Sequence, residues 1–420
     1  MAILEPLPAI IISFCFLGIM LYKRVNLGIT LNATALLLAL LSVSWQEIPG
    51  IIYATVDYRT SEGLLTISVV LATFGVMLLS QLYKETGEIN RLSENLSRII
   101  KNPKAILSVL PAVIGFLPVA GGALMSAPLV DSEAERLKLK PEKKAYVNLW
   151  FRHTIFPVYP LSQVLIITVG VTEITMASII VRQIPAVIAM IIVGYIIGFW
   201  RVQNPKSKEK TAKEKNSLNS NFKNFLTSFS PIIVTIIATV CMELISPGLA
   251  KQGIDVLIAT IVGIIVLIVI TKPSLRVLKI PLKSTGIYGV TLAAYGAFFL
   301  KGTVSAEGIS QILKTVLMNG SVDILLFLTV IPALLGFLTG SANGGVAIGA
   351  SILAGVLSFS PKTAALLYMS AYLGYIIAPT HLCFAFTANY FKCSLGKIYK
   401  YVIPSFLITI ITVLLTYFLI

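Results

Sequence analysis

From Leu64 to Leu82 the chain runs without one charged side chain, and apolar stretches of this kind recur along its 420 residues. A helix rises about 1.5 Å per residue, so such a run reaches roughly 30 Å, the hydrocarbon thickness of a bilayer. Inside hydrocarbon every backbone N–H and C=O needs a partner from the protein itself, and a helix supplies one for each. The expected fold class is therefore an all-α polytopic membrane protein in contact with lipid. Composition agrees: 56% of residues are hydrophobic and 12% charged, with a mean hydropathy of +0.90, which excludes an ordinary soluble chain.

Four apolar stretches are interrupted, and the interruptions carry the functional information. Residues 105–130 contain Pro111, Gly115, Pro118, Gly121, Gly122 and Pro128. Residues 324–357 contain the polar, glycine-rich GFLTGSANGGVAIG at 336–349. A straight helix through either would be heavily penalised. Split at their tips, both give arms of about 10–13 residues that reach the bilayer midplane, as a re-entrant hairpin does. Spans 145–170 and 363–390 are broken at Pro157 and Pro160 and at Pro379. Irregular backbone is tolerated at this depth only where protein or a water-filled cavity surrounds it, so all four breaks are candidate binding elements. Continuous spans are expected at 7–22, 29–45, 64–82, 179–200, 231–245, 254–270, 287–300 and 401–419. The charged segments 83–104 and 131–144 and the lysine-rich linker 201–223 are expected as solvated connections.

The two halves match. Pro111-Ala112-x-x-Gly115-Phe116-Leu117 corresponds to Pro332-Ala333-x-x-Gly336-Phe337-Leu338 at a shift of 221 positions. Ala72-x-Phe74-Gly75 corresponds to Ala293-x-Tyr295-Gly296 at the same shift, Pro157 to Pro379 at 222, and Ile184-Pro185 to Ile403-Pro404 at 219. The expected organisation is a first repeat over 1–200, a basic linker over 201–228 and a second repeat over 229–420.

A net charge of +15 could point to nucleic acid, but the excess sits in short loops between apolar segments and reads as topology. If both interrupted hairpins turn back, loops on one side hold 26 Lys and Arg and those on the other hold 6. If both cross, the division is 14 to 18, with no bias. The positive-inside rule favours ten spans plus two hairpins, both termini outside, and a second half inverted relative to the first. The N-terminal MAILEPLP has no basic n-region, so the first span is expected to act as its own insertion signal.

Chemistry-bearing residues cluster at the breaks. Arg152, His153 and Thr154 precede Pro157, and Thr380 and His381 follow Pro379. An arginine within a span costs on the order of 3 kcal/mol, so Arg152 either supplies positive potential for an anion or marks the cytoplasmic end of its span. The two histidines either carry protons or are neutral structural groups. At the second tip Thr339, Ser341 and Asn343 offer oxygens, while Gly340 and Gly344 admit close backbone approach. With carbonyls near Ala378 and Pro379 these suit sodium, and helix N-termini facing the same space suit a carboxylate. Gly121 and Gly122 at the first tip offer backbone only. Close helix packing through small residues would use the same glycines.

Acidic residues are scarce in spans. Glu243 lies near a span end, where snorkelling explains it, and Asp131 and Asp323 lie at hairpin bases, where helix capping does. Cys15, Cys241, Cys383 and Cys393 have no metal-ligand spacing and read as packing residues. HExxH, GxSxG, GxxxxGK[ST] and paired intramembrane aspartates are absent, so the chain is read as a non-enzyme without ATPase chemistry and without an organic cofactor.

The order of three spans, hairpin, broken span and final span, repeated in inverted form, resembles the ion transporter superfamily. Its members include divalent-anion:sodium symporters, gluconate and citrate permeases and the large membrane subunit of TRAP transporters. GFLPVAGGALMSAPLVD at 115–131 and SAYLGYIIAPTHLCF at 370–384 are most similar to an uncharacterised group of prokaryotic integral membrane proteins within it. The resemblance implies an elevator mechanism in the cytoplasmic (inner) membrane, usually in a homodimer. Both hairpins, both broken spans and the last span of each half would move against the rest. In the symporter branch each tip carries a Ser-Asn-Thr-type motif for sodium and carboxylate binding. The second tip keeps a partial version in Thr339, Ser341 and Asn343, and the first lacks Ser, Asn and Thr from Pro118 to Gly122. Two-site sodium coupling is thereby put in doubt, leaving one Na+ or a proton. The expected function is secondary transport of a small organic anion, with a cation/proton antiporter as the alternative and an enzyme or a channel as the remaining classes.

Overall fold

The computed structural model describes residues 3–118, 122–203, 212–306, 308–319 and 323–419, with side chains described throughout except at 212–218, 313 and 316–319. Among the described residues the chain is helical, with no strand. In order come α1 (Pro6–Tyr22), α2 (Leu27–Ser42), a short α3 (Ile48–Thr55), α4 (Ser61–Glu85) and α5 (Glu88–Ile99). They are followed by α6 (Pro103–Gly115), α7 (Ala123–Arg136), α8 (Pro141–Arg152), α9 (Gln163–Thr172) and α10 (Met176–Phe199). The second half holds α11 (Ala212–Ile245), α12 (Pro247–Lys251), α13 (Ile254–Thr271), α14 (Leu275–Lys279), α15 (Thr285–Val304) and α16 (Ile309–Asn319). It closes with α17 (Ile324–Thr339), α18 (Ala342–Ala354), α19 (Pro361–Ile377), α20 (Leu382–Tyr390) and α21 (Leu395–Leu419).

Eight segments are long and apolar enough to cross a membrane, counting the pairs α8–α9 and α19–α20 as one each. The protein is a multi-pass membrane protein. All ten expected spans are helical, with α1 and α2 the two that fall short of that length at 17 and 16 residues. Side-chain caps start several helices, as expected at Asp323. Asn26 Oδ1 accepts from the Gly28 amide at 2.9 Å, Asp323 Oδ1 from the Leu325 amide at 2.9 Å, and Ser360 forms a capping box with Thr363.

Three segments differ from expectation. The charged stretch 83–104 is not a loop: α5 lies within it. Leu92 and Leu96 of α5 pack on Ile106, Leu110 and Val113 of α6, while its charged face stays in solvent. The linker is helical from Ala212 onward, continuing into α11, whose Phe225 and Phe229 cover the same cluster; residues 204–211 of it lie outside the described residues. The charged stretch 131–144 is a connection only over 137–140, between α7 and α8, and Asp131 caps no helix. It sits inside α7, where Lys144 Nζ donates to its Oδ1 at 2.6 Å.

Two sets of helices pack within themselves. One joins α1, α2, α4, α11, α13 and α15; the other joins α6–α10 and α17–α21. They meet where α15 lies against α18 and α4 against α9. Within the second set, backbones approach closely through glycine where α17 crosses α19: a Cβ on Gly336 would strike the Ala371 carbonyl, and one on Gly374 the Ala333 carbonyl.

Candidate functional site

Helix α17 stops because Gly340 takes a left-handed conformation, φ +59°, and Ser341 then starts α18 by accepting from the Gly344 amide at 3.4 Å. The arms fold back on each other. A Cβ on Gly345 would meet the Gly336 amide and the Pro332 carbonyl, and one on Gly349 would touch the Pro332 ring. The tip docks on the second break, where Thr380 Oγ1 donates to the Phe337 carbonyl at 3.3 Å and leaves no room for a side chain at Gly340.

The first break runs from the end of α8 to the start of α9, and a face of α19 satisfies its freed backbone. Tyr372 Oη donates to the His153 carbonyl at 2.6 Å and Tyr368 Oη to the Phe156 carbonyl at 3.3 Å. The second break is held by Tyr399, whose hydroxyl donates to the Ile377 carbonyl at 2.8 Å. Irregular backbone therefore persists here because protein partners replace the helical ones.

These pieces line an open cavity of about 420 Å³. Arg152, His153, Thr339, Gly340, Ser341, Asn343, Thr380 and His381 all line it, so most of the sequence-predicted residues converge. Thr154, Gly344, Ala378 and Pro379 do not. Thr154 is buried and donates to the Phe151 carbonyl at 2.8 Å, Gly344 packs on Thr339, the Ala378 carbonyl accepts from the His381 amide at 3.1 Å, and Pro379 is exposed. Thr339 Oγ1 is committed to the Leu335 carbonyl at 2.7 Å. Gly121 lies outside the described residues. Gly122 stands against the Arg152 guanidinium with no room for a Cβ.

Arg152 is 2% exposed and so does not reach a headgroup layer. Its Nη2 donates to the Leu117 carbonyl at 3.2 Å, and Nη1 has no partner among the described residues. Gln163 Nε2 and Asn343 Oδ1 are likewise buried and unpartnered there. Helices α9, α18 and α20 all begin at the cavity wall, through Gln163, Ala342 with Asn343, and Leu382 with Cys383. Each such N-terminus carries about half a positive charge. No carboxylate lines the cavity among the described residues. A guanidinium and three helix N-termini without a counter-charge among the described residues favour negative charge in this space.

Two acidic residues of the spans lie elsewhere. Glu243 Oε1 accepts from the Ala177 amide at 3.2 Å, capping α10, and Asp255, 3% exposed at the start of α13, lines a separate small pocket beside it. Sequence reasoning missed Gln163, Tyr372, Tyr375 and Cys383 as cavity residues. Tyr368, Tyr372 and Tyr375 had a legible signal, their helical spacing of four and three; Gln163 and Cys383 had none.

The family described as "Protein of unknown function (DUF401)" matches residues 8–420. No curated protein matches the sequence. Among solved structures, the YdaH transporter of Alcanivorax borkumensis superposes with a TM-score of 0.60 at 15% identity, over 90% of this chain and 89% of its own. MtrF of Neisseria gonorrhoeae, described with a class of antimetabolite efflux pumps, superposes with a TM-score of 0.52 at 14% identity, over 90% and 85%. At these identities the likeness is one of fold.

Proposed function

Since the chain belongs to the DUF401 family, whose description assigns no activity, we propose from the site itself that it is a secondary active transporter of a small carboxylate-type organic anion. One observation carries the reading: a cavity of about 420 Å³ at the start of three helices, lined by the buried Arg152, whose Nη1 has no partner among the described residues, and by no carboxylate among those residues. The same observation speaks against the cation/proton antiporter, which needs an ionisable acid on the ion's path.

The division into two helix sets supports alternating access by an elevator motion. The set holding both hairpins, both breaks, α10 and α21 carries the cavity's polar residues, and the set holding α4 and α15 contributes Met77, Gly286 and Val290 as one apolar wall. A polar body sliding along an apolar wall exposes its cargo to each side in turn. Inverted repeats over 1–200 and 229–420 are supported by paired details. Gly115 packs against the Arg152 carbonyl as Gly336 packs against that of Ala371, and α4 lies on α13 as α15 lies on α2. Coupling is to Na+ at the second tip, through Ser341 and the unpartnered Asn343 Oδ1, or to protons. Being transporters, YdaH and MtrF support the class. The assembly we propose is a homodimer in the inner membrane.

Uptake of labelled mono- and dicarboxylates into proteoliposomes under imposed sodium and pH gradients tests this. Gradient-driven accumulation of at least one anion, lost in Arg152→Gln, is the expected result. No gradient-dependent flux across a broad anion panel overturns it.

A further inference from the structure

His381 is 2% exposed, and neither of its ring nitrogens has a hydrogen-bond partner among the described residues. Buried polar groups are paired as a rule, so an imidazole left open at both nitrogens asks for a cause. Its neighbours supply one. The His153 ring is 4.8 Å away between centroids at 84°, and Cys383, 7% exposed, lies two residues on. One ligand atom from each of His153, His381 and Cys383 can be chosen so that all lie within 4.8 Å of one another. Donors bonded to a single ion at about 2.0–2.3 Å stand roughly 3.5–4 Å apart, so small side-chain rotations close the set.

His153 is already oriented as a ligand. Its Nδ1 lies 2.7 Å from the Leu149 carbonyl, which fixes the proton on Nδ1 and leaves the Nε2 lone pair toward the cavity, 3.2 Å from the Tyr375 hydroxyl. Metal-binding histidines are held by this kind of bond from the other ring nitrogen.

We propose that His153, His381 and Cys383 form a binding site for a monovalent thiophilic metal ion of the Cu(I) class. Two imidazoles and a thiolate, with no carboxylate among the described lining residues, select soft ions over magnesium, calcium or manganese. Charge selects among the soft ones. Arg152 lines the same cavity as all three donors, and a divalent ion would add to a site that is already positive. A monovalent ion replaces the thiol proton, M+ + RSH giving RS–M + H+, and leaves the cavity's charge unchanged. The site goes beyond anion transport and does not depend on it.

Purified protein carrying Cys15→Ser, Cys241→Ser and Cys393→Ser, which removes the other free thiols, is titrated with Ag(I) as a redox-inert probe. One ion bound and one proton released per chain are expected, with affinity falling at least tenfold in His381→Ala and in Cys383→Ser. Binding of less than one ion, or affinity unchanged in either variant, overturns the proposal. X-ray absorption of the Ag(I)-loaded triple variant guards against a folding defect: one sulfur and two nitrogen neighbours support the site, and any other shell overturns it. Since the uptake assay reads anions and this one reads metal, either reading can fail alone.

Discussion

Arg152 shows how a single residue's role depends on where the fold puts it. Its position after Lys143 and Lys144 was compatible with a headgroup contact; burial against Gly122 and the Leu117 carbonyl gives it a cavity instead. A charge-assisted hydrogen bond contributes about 1.5–3 kcal/mol, so Arg152→Gln is expected to weaken binding of a transported anion roughly 10–100-fold. Arg152→Lys should not restore it, because an ammonium cannot hold the Leu117 carbonyl and an anion with the same planar fork. Uptake measured across anion concentrations checks both, and an unchanged half-saturation in Arg152→Gln would remove the arginine from the site. At the neighbouring position, Tyr372→Phe removes the hydroxyl that satisfies the His153 carbonyl and is expected to cost about 1 kcal/mol, read as a lowered Tm in detergent.

Broken elements were the most legible part of the chain, because proline and glycine punctuate a helix by local sterics alone. Breaks expected at Pro157 and Pro379 are observed between α8 and α9 and between α19 and α20. The segment 83–104 was misread for the converse reason. Its charges suggested solvent, yet Leu92 and Leu96 recur on one face of α5, and only the partner helices α6 and α11 make that narrow stripe worth burying. The α17–α19 crossing gives a test at this scale. Gly336→Ala would drive a methyl group into the Ala371 carbonyl, a backbone atom that cannot yield, and overpacking of this kind costs about 1–3 kcal/mol. Gly18→Ala in α1 has nothing within 4 Å of the new methyl and is expected to leave Tm unchanged or slightly raised. Equal behaviour of the two variants in thermal unfolding would contradict the close crossing.

For the whole molecule, the contact between the two helix sets is where the proposed sliding motion can be tested. Glu173, in the turn between α9 and α10, pairs with Lys301 of α15 at 2.5 Å across that boundary. Glu173→Cys with Lys301→Cys, joined by a short bifunctional reagent, is expected to abolish uptake, with recovery on cleavage of the link and activity in each single variant. Uptake that persists through the cross-link would rule out sliding of one set along the other. Membrane topology is tested by cysteine labelling: positions flanking 105–130 should react from one face and those flanking 324–357 from the opposite one. The sequence by itself determined that the chain is helical and membrane-embedded and where its helices break, because each follows from short-range sterics or hydropathy. Only the tertiary structure decided that Arg152, His153, the second tip and His381 share one cavity, that Gln163, Tyr375 and Cys383 join them, and that Glu243 and Asp255 do not. Those include contacts between residues more than two hundred positions apart, and no local pattern encodes which distant surfaces will meet.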